Sequence, residues 1–173
     1  MLILPTHRVL PGVQVTGAML REDDKLEVAH LPADSPQQVP DALAKFGPMA
    51  VAVTSEDGYL MVRPKDETLL DEMAADHSVA WRRLGLAFLH AYLLDKLVGP
   101  KLCDGKAPEI HYVKAAAPAV EEARETNGCA FLMQATTMAE MRDVCSAGDL
   151  MPQKSTFFYP KLASGLVVNP LDA

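Results

Sequence analysis

Met49-Ala-Val-Ala-Val-Thr-Ser-Glu-Asp-Gly-Tyr-Leu-Met-Val-Arg63 contains two apolar runs around a polar centre. Met49 to Thr54 and Tyr59 to Arg63 are rich in strand-forming residues, and Ser55-Glu56-Asp57-Gly58 lies between them. Asp-Gly supplies the positive-φ residue that a tight hairpin turn needs, so the stretch predicts two adjacent antiparallel strands.

On the N-terminal side of the hairpin, Leu26 to Leu31 has apolar residues at 26, 28 and 31 and predicts a further strand. Asp34-Ser35-Pro36 is a helix-start signal, and Gly47 stops the helix after Phe46. Val13 to Glu22 predicts a short helix, and Met1 to Leu4 is too brief an apolar run to classify. On the C-terminal side, Thr68 to Asp76 predicts a helical segment. Val79 to Val98 predicts the longest helix, apolar on more than one stripe and ended by Gly99-Pro100. Its Leu84, Leu89 and Leu93 are expected in the core, and His90 reads as a satisfied core histidine.

Beyond that helix, Glu109 to Val113 and Cys129 to Gln134 predict strands, separated by a helix over 118–126 that stops at Asn127-Gly128. Thr136 or Thr137 caps a helix running through Cys145. If Thr137 is the cap, Glu140 stands at the capping-box position. Gly165 to Val168 predicts a last short strand. At least five strands alternating with three or four helices imply an α+β fold, a mixed sheet with helices packed on it. The short connections imply one compact domain over residues 1–173.

The composition narrows the function classes. The chain has 173 residues, a net charge of −7 and no basic run, so nucleic acid is not an expected partner. No apolar run reaches the length of a membrane span, and Met1-Leu-Ile-Leu-Pro5 lacks the basic lead of a signal peptide. A cytoplasmic protein is expected. Its three cysteines, Cys103, Cys129 and Cys145, have no metal-ligand spacing, so reduced thiols and no metal are expected.

The residues best suited to ligand chemistry lie at the two ends. Met151-Pro-Gln-Lys-Ser-Thr-Phe-Phe-Tyr-Pro-Lys161 gathers two lysines, two hydroxyls, a phenol and an amide between Pro152 and Pro160. Lysine supplies charge, while hydroxyls and backbone N–H groups supply aimed donors, which suits a phosphate or carboxylate. The stretch is not a Walker loop, because Lys154-Ser155 lacks the required glycines. From the residues alone, a solvated loop whose Phe157, Phe158 and Tyr159 plug the core is the favoured reading. At the other end, Thr6-His7-Arg8 could grip an anion through the arginine fork, with His7 as donor or proton carrier. Its bland alternative is a surface turn between Pro5 and Pro11. If the two clusters meet, Thr6, His7, Arg8, Lys154, Ser155, Thr156, Tyr159 and Lys161 form one anion site.

Three signatures resemble a known family. They are Leu2-Ile-Leu-Pro-Thr-His-Arg8, the helix around Leu89-His90, and Met151 to Lys161 followed by Ser164-Gly-Leu-Val167. Together they resemble the bacterial and archaeal family called domain of unknown function 1015. The resemblance covers nearly this whole chain but only the C-terminal portion of a typical family member. The other half of the family carries an Asp-Gly-His-His-Arg-Tyr-like motif, similar to one in ParB-like proteins. Some of those proteins bind nucleotides, and one branch phosphorylates free serine. That motif is absent from this sequence, and the family's Leu-Asp is Leu84-Gly85 here.

The chain is therefore expected to be either a shortened natural protein or a piece of a longer one. The resemblance implies the anion-binding half of a nucleotide-dependent protein, with phosphoryl transfer as one option for its chemistry, incomplete as an enzyme. Its ligand would be a small phosphorylated molecule or nucleotide, with Mg²⁺ in the full-length form only. The alternative is a noncatalytic interaction module, which could form a homodimer.

Overall fold

The computed structural model describes residues 2–56 and 58–160, with the backbone alone for Leu2. The anticipated hairpin is its centre. Strands β4 (Val51–Ser55) and β5 (Gly58–Pro64) pair antiparallel from Val51 opposite Val62 to Ser55 opposite Gly58. Gly58 has a φ of +99°, which is the conformational reason for glycine after the turn.

Six strands assemble in the order β3-β5-β4-β7-β2-β6. The outer and inner partners are β2 (His7–Leu10), β3 (Leu26–His30), β6 (His111–Val113) and β7 (Cys129–Leu132). The α+β class is as the sequence predicts. All five pairings are antiparallel, so the parallel component of a mixed sheet is not found among the described strands.

Both faces of the sheet are covered. One face packs Leu10, Val51, Val53, Leu60 and Phe131 against the long helical region. The other packs Val9, Ala50, Ala52, Met61 and Ala130 against helices α2 (Val39–Leu43) and α6 (Ala116–Glu125). The alternation within each strand decides which face a residue serves. A separate two-stranded ribbon joins β1 (Leu2–Leu4) to β8 (Phe157–Tyr159), with Ile3 opposite Phe158. That ribbon holds the two ends of the described chain together.

Two expectations are corrected here. His7-Arg8 is not a surface turn. It lies in β2, paired on both sides and buried throughout, while Pro5 and Pro11 stand just outside the strand. Proline at a strand boundary removes no ladder hydrogen bond, so the flanking prolines mark the strand's limits.

The uninterrupted helix over 79–98 is the second correction. Helix α3 (Val79–Arg82) ends, and Leu84 turns extended with φ −77° and ψ 133°. A new helical run over 85–102 then begins with α4 (Gly85–Ala87) and widens to a π-helix over Phe88–Val98. It closes with α5 (Gly99–Leu102). Gly99-Pro100 does not stop it, because Pro100 falls in the first turn of α5, where its missing N–H is tolerated. Leu84, Leu89 and Leu93 are buried as expected. The Thr137–Glu140 capping box starts helix α7 (Met138–Ser146) as expected. The strand anticipated at 165–168 lies outside the described residues.

Candidate functional site

Arg8 enters the sheet opposite Phe131 on one side and Tyr112 on the other. Leu10, two residues on, packs toward the helical run 85–102, so the strand's alternation aims Arg8 at the same layer. Its side chain is buried, with 1% of its surface exposed. One terminal nitrogen donates to the Thr6 carbonyl. The other donates to the carbonyls of Gln153 at 3.3 Å and Lys154 at 3.1 Å. Its Nε–H has no partner, and no carboxylate pairs with it among the described residues.

Burial pulls the Arg8 pKa down to about 10, with the Tyr112 phenol acting the opposite way. The guanidinium carbon lies 5.4 Å from the centre of the Tyr112 ring. A buried cation held only by neutral carbonyls and a ring face carries uncompensated charge, and an anion reverses that cost.

The expected meeting of the two ends takes place, but through the backbone. Lys154 has a φ of +55°, and its carbonyl accepts from Arg8 while its side chain is exposed. Thr136 Oγ1 donates to the Ser155 carbonyl at 3.1 Å, tying the same loop to the segment before α7. Ser155 is buried, Thr156 half-buried and Tyr159 exposed. Lys161 lies outside the described residues, as does the Ser164-to-Val167 part of the resemblance.

A cavity of about 210 Å³ opens beside Arg8. Thr6, Arg8, Thr136 and Ser155 line it, together with Gly85 and Leu86 from the start of the helical run. Of the anticipated site residues, the cavity thus brings together Thr6, Arg8 and Ser155. His7, Lys154, Thr156 and Tyr159 are not among its lining.

The first backbone bond of the helical run is Phe88 N–H to the Leu84 carbonyl, and Leu84 offers no side-chain cap. The N–H groups of residues 85–87 therefore lack intrahelical acceptors and carry the positive end of the helix. Sequence reasoning missed this contribution because Leu84-Gly85 looks like helix interior. The glycine was the available signal. A Cβ there would lie 2.5 Å from the Pro48 carbonyl oxygen, so the break and the glycine belong together.

Two histidines flank the arginine electrostatically. His7 Nδ1 accepts from Met133 N–H at 3.1 Å, which puts the neutral ring's proton on Nε2. Burial, and then the Arg8 charge, lower its pKa to about 4. His90 is lowered to about 4 by the same two causes. It is not the satisfied core histidine that its helix suggested, since its buried Nε2 has no partner. Glu140 also lines the cavity, but its Oε2 accepts from Thr137 N–H at 2.7 Å and Thr137 Oγ1 at 2.8 Å.

A second cavity of about 450 Å³ lies between the hairpin turn and the C-terminal end of α6. Asp34 and Glu56 line it with Arg124, and none of the described anion-site candidates reaches it. Two carboxylates against one cation make it the poorer anion site.

Two solved structures are similar to this chain. A free serine kinase mutant in complex with AMP aligns with a TM-score of 0.50 and 14% identity, over 90% of this chain and 52% of that one. A free serine kinase mutant in complex with ADP aligns with a TM-score of 0.49 and 15% identity, over 90% and 53%. The chain spans about half the length of these solved chains. At such identities the likeness concerns architecture. The chain matches no protein-family profile and no curated protein. No helix among the described residues is long and apolar enough to cross a membrane.

Proposed function

We propose that this chain is the anion-binding half of a nucleotide-dependent protein, with the Arg8 cavity as its phosphate site. The observation that carries this reading is a buried guanidinium, without a carboxylate partner among the described residues, at the wall of a cavity that a helix start also lines. Guanidinium and helix N-terminus both favour phosphate. The fold shared with a kinase solved with AMP supports the nucleotide part, as does the resemblance to the domain of unknown function 1015 family.

In this reading the chain holds phosphate and does not complete the chemistry alone. Phosphoryl transfer rests on positioning and charge neutralisation, usually with Mg²⁺. Arg8 and the 85–87 amides supply neutralisation. Glu140, committed to the start of α7, is a poor magnesium ligand, so a nucleotide-bound Mg²⁺ would draw its carboxylates from elsewhere in a longer protein.

Titration calorimetry of the chain with AMP, ADP and inorganic phosphate tests the proposal. Saturable binding that Arg8→Gln abolishes is expected. Absence of binding by all three ligands to the wild-type chain would remove it.

A noncatalytic assembly role is the second reading. Val79 and Leu150 are 58% and 82% exposed. The Ser78 N–H bond to Asp149 Oδ2, at 2.7 Å, brings their neighbours together. Large exposed apolar side chains on neighbouring segments favour a self-contact. Sedimentation of the wild type against Leu150→Glu would expose such a dimer.

A further inference from the structure

The size and lining of the Arg8 cavity say which part of a ligand it can hold. Resting on the phosphate-site reading above, we infer that the cavity takes a phosphoryl group alone and leaves a nucleoside, or any other organic part, outside. Its volume of about 210 Å³ is below the roughly 300 Å³ at which sites for whole organic ligands begin. An inorganic phosphate fits such a space, whereas a nucleotide does not fit whole.

The lining agrees with that division. Thr6, Thr136 and Ser155 are hydroxyl-bearing residues of the lining, and Arg8, Gly85 and Leu86 bring N–H donors. No aromatic side chain lines the cavity among the described residues, so a base would find no platform on which to stack. Apart from the Glu140 carboxylate, which is bonded to Thr137, the remaining walls are mostly apolar, such as Ala44, Pro48, Ala50 and Met133.

Two features favour an oxygen ligand beside Arg8. The Arg8 Nε–H is buried and without a partner, while its terminal nitrogens meet the carbonyls of Thr6, Gln153 and Lys154. The start of the 85–102 run has no side-chain cap. A buried donor left without a partner is costly, and an anion drawn to the guanidinium offsets the charge that the carbonyls leave uncompensated. A carboxylate brings two oxygens in one plane, fewer than the three kinds of donor grouped here. A tetrahedral phosphate has an oxygen for the arginine, one for the helix start and one for the hydroxyls.

The test is competition calorimetry on the wild-type chain with inorganic phosphate, AMP and adenosine at constant ionic strength. Phosphate is expected to bind and to displace AMP fully, with adenosine showing no binding and no displacement. The inference is overturned if AMP binds but phosphate neither binds nor competes, or if adenosine displaces AMP. Failure of both phosphate and AMP to bind would instead end the phosphate-site reading itself. Arg8→Lys keeps the charge and removes the Nε–H, so phosphate affinity should fall at least tenfold. Thr6→Val gives a milder second probe, with a several-fold loss expected, should the lysine variant melt early. Unchanged phosphate affinity in both folded variants would overturn the assignment.

Discussion

The guanidinium of Arg8 donates to the backbone carbonyl of Lys154, 3.1 Å away and 146 residues along the chain. The lysine side chain plays no part in that contact. Its backbone does, because φ at Lys154 is +55°, a left-handed conformation uncommon for a side chain with a Cβ. Lys154→Met should therefore leave phosphate affinity within about twofold, and a larger loss by calorimetry would place the ammonium at the site. Lys154→Val should destabilise by about 1–2 kcal/mol in urea unfolding, because a β-branched residue is strained in this conformation. Lys154→Gly should be neutral or stabilising.

Removing the arginine itself has a different expected signature. Arg8→Met deprives three carbonyls of charged donors, each worth on the order of 1.5–3 kcal/mol, and at the same time removes the cost of a buried cation. A net loss of about 2–4 kcal/mol without ligand is expected. The loss should concentrate at the 151–160 loop, so hydrogen exchange there should quicken more than in β4 and β5. Uniform quickening across the sheet would mean that the arginine supports the whole core.

How much of this was legible depended on whether the signal was local. The hairpin and the Thr137–Glu140 capping box each specify their backbone within a few residues, and both formed as read. Strand β2 has only four residues, two of them polar, so no alternation announces it, and its burial comes from β6 and β7 far along the chain. Strand β8 exists by pairing with β1 and looked like loop for the same reason. The break at Leu84 depends on Pro48 approaching Gly85, a contact no periodicity can reveal. The clustering of ends was anticipated from composition. Which atoms meet there was not, since lysine was expected to offer its ammonium and instead offers a carbonyl.

Acid should weaken the fold through His7. Its pKa lies near 4 in the fold against 6.5 for an unperturbed histidine, lowered first by burial and then by Arg8. Between those values the unfolded chain binds more protons than the folded one, so stability rises with pH across the window. The contribution is complete above about pH 6.5 and is lost as pH falls toward 4, with a size on the order of 3 kcal/mol. His7→Gln, whose amide oxygen can accept from Met133 N–H, should flatten the urea midpoint between pH 4 and 6.5. His90 is lowered in the same way, so a residual slope should vanish only in the double variant. An unaltered slope in that variant would assign acid sensitivity to carboxylates.

Thr137→Ala should cost about 1 kcal/mol, since the threonine Oγ1 accepts from Glu140 N–H at 3.1 Å and the glutamate answers at the Thr137 N–H. Thr137→Ser should recover most of it. Without the threonine Oγ1–H, Glu140 keeps only the backbone N–H of residue 137 and faces the cavity as a less committed carboxylate, so phosphate affinity should fall in the alanine variant as well. A stability loss with no change in phosphate affinity would place Glu140 too far from the ligand to matter.

Gly85 gives the most direct check on the broken helix. Its φ lies outside the left-handed region, so alanine meets no backbone strain there, and at the first helical position alanine's propensity gains little. What remains is space. A Cβ would lie 2.5 Å from the Pro48 carbonyl oxygen and 3.5 Å from the Met49 backbone, and a carbonyl in the main chain cannot swing aside as a side-chain tip can. Gly85→Ala should thus cost about 1–3 kcal/mol and reduce phosphate binding by narrowing the cavity. Gly105 supplies the contrast, with φ +77° and nothing within 4 Å of an added Cβ. Gly105→Ala should cost about 1 kcal/mol through backbone strain alone and leave binding untouched. If urea midpoints show Gly85→Ala to be neutral or stabilising, the chain runs as one helix through residue 85, and the helix start facing Arg8 does not exist.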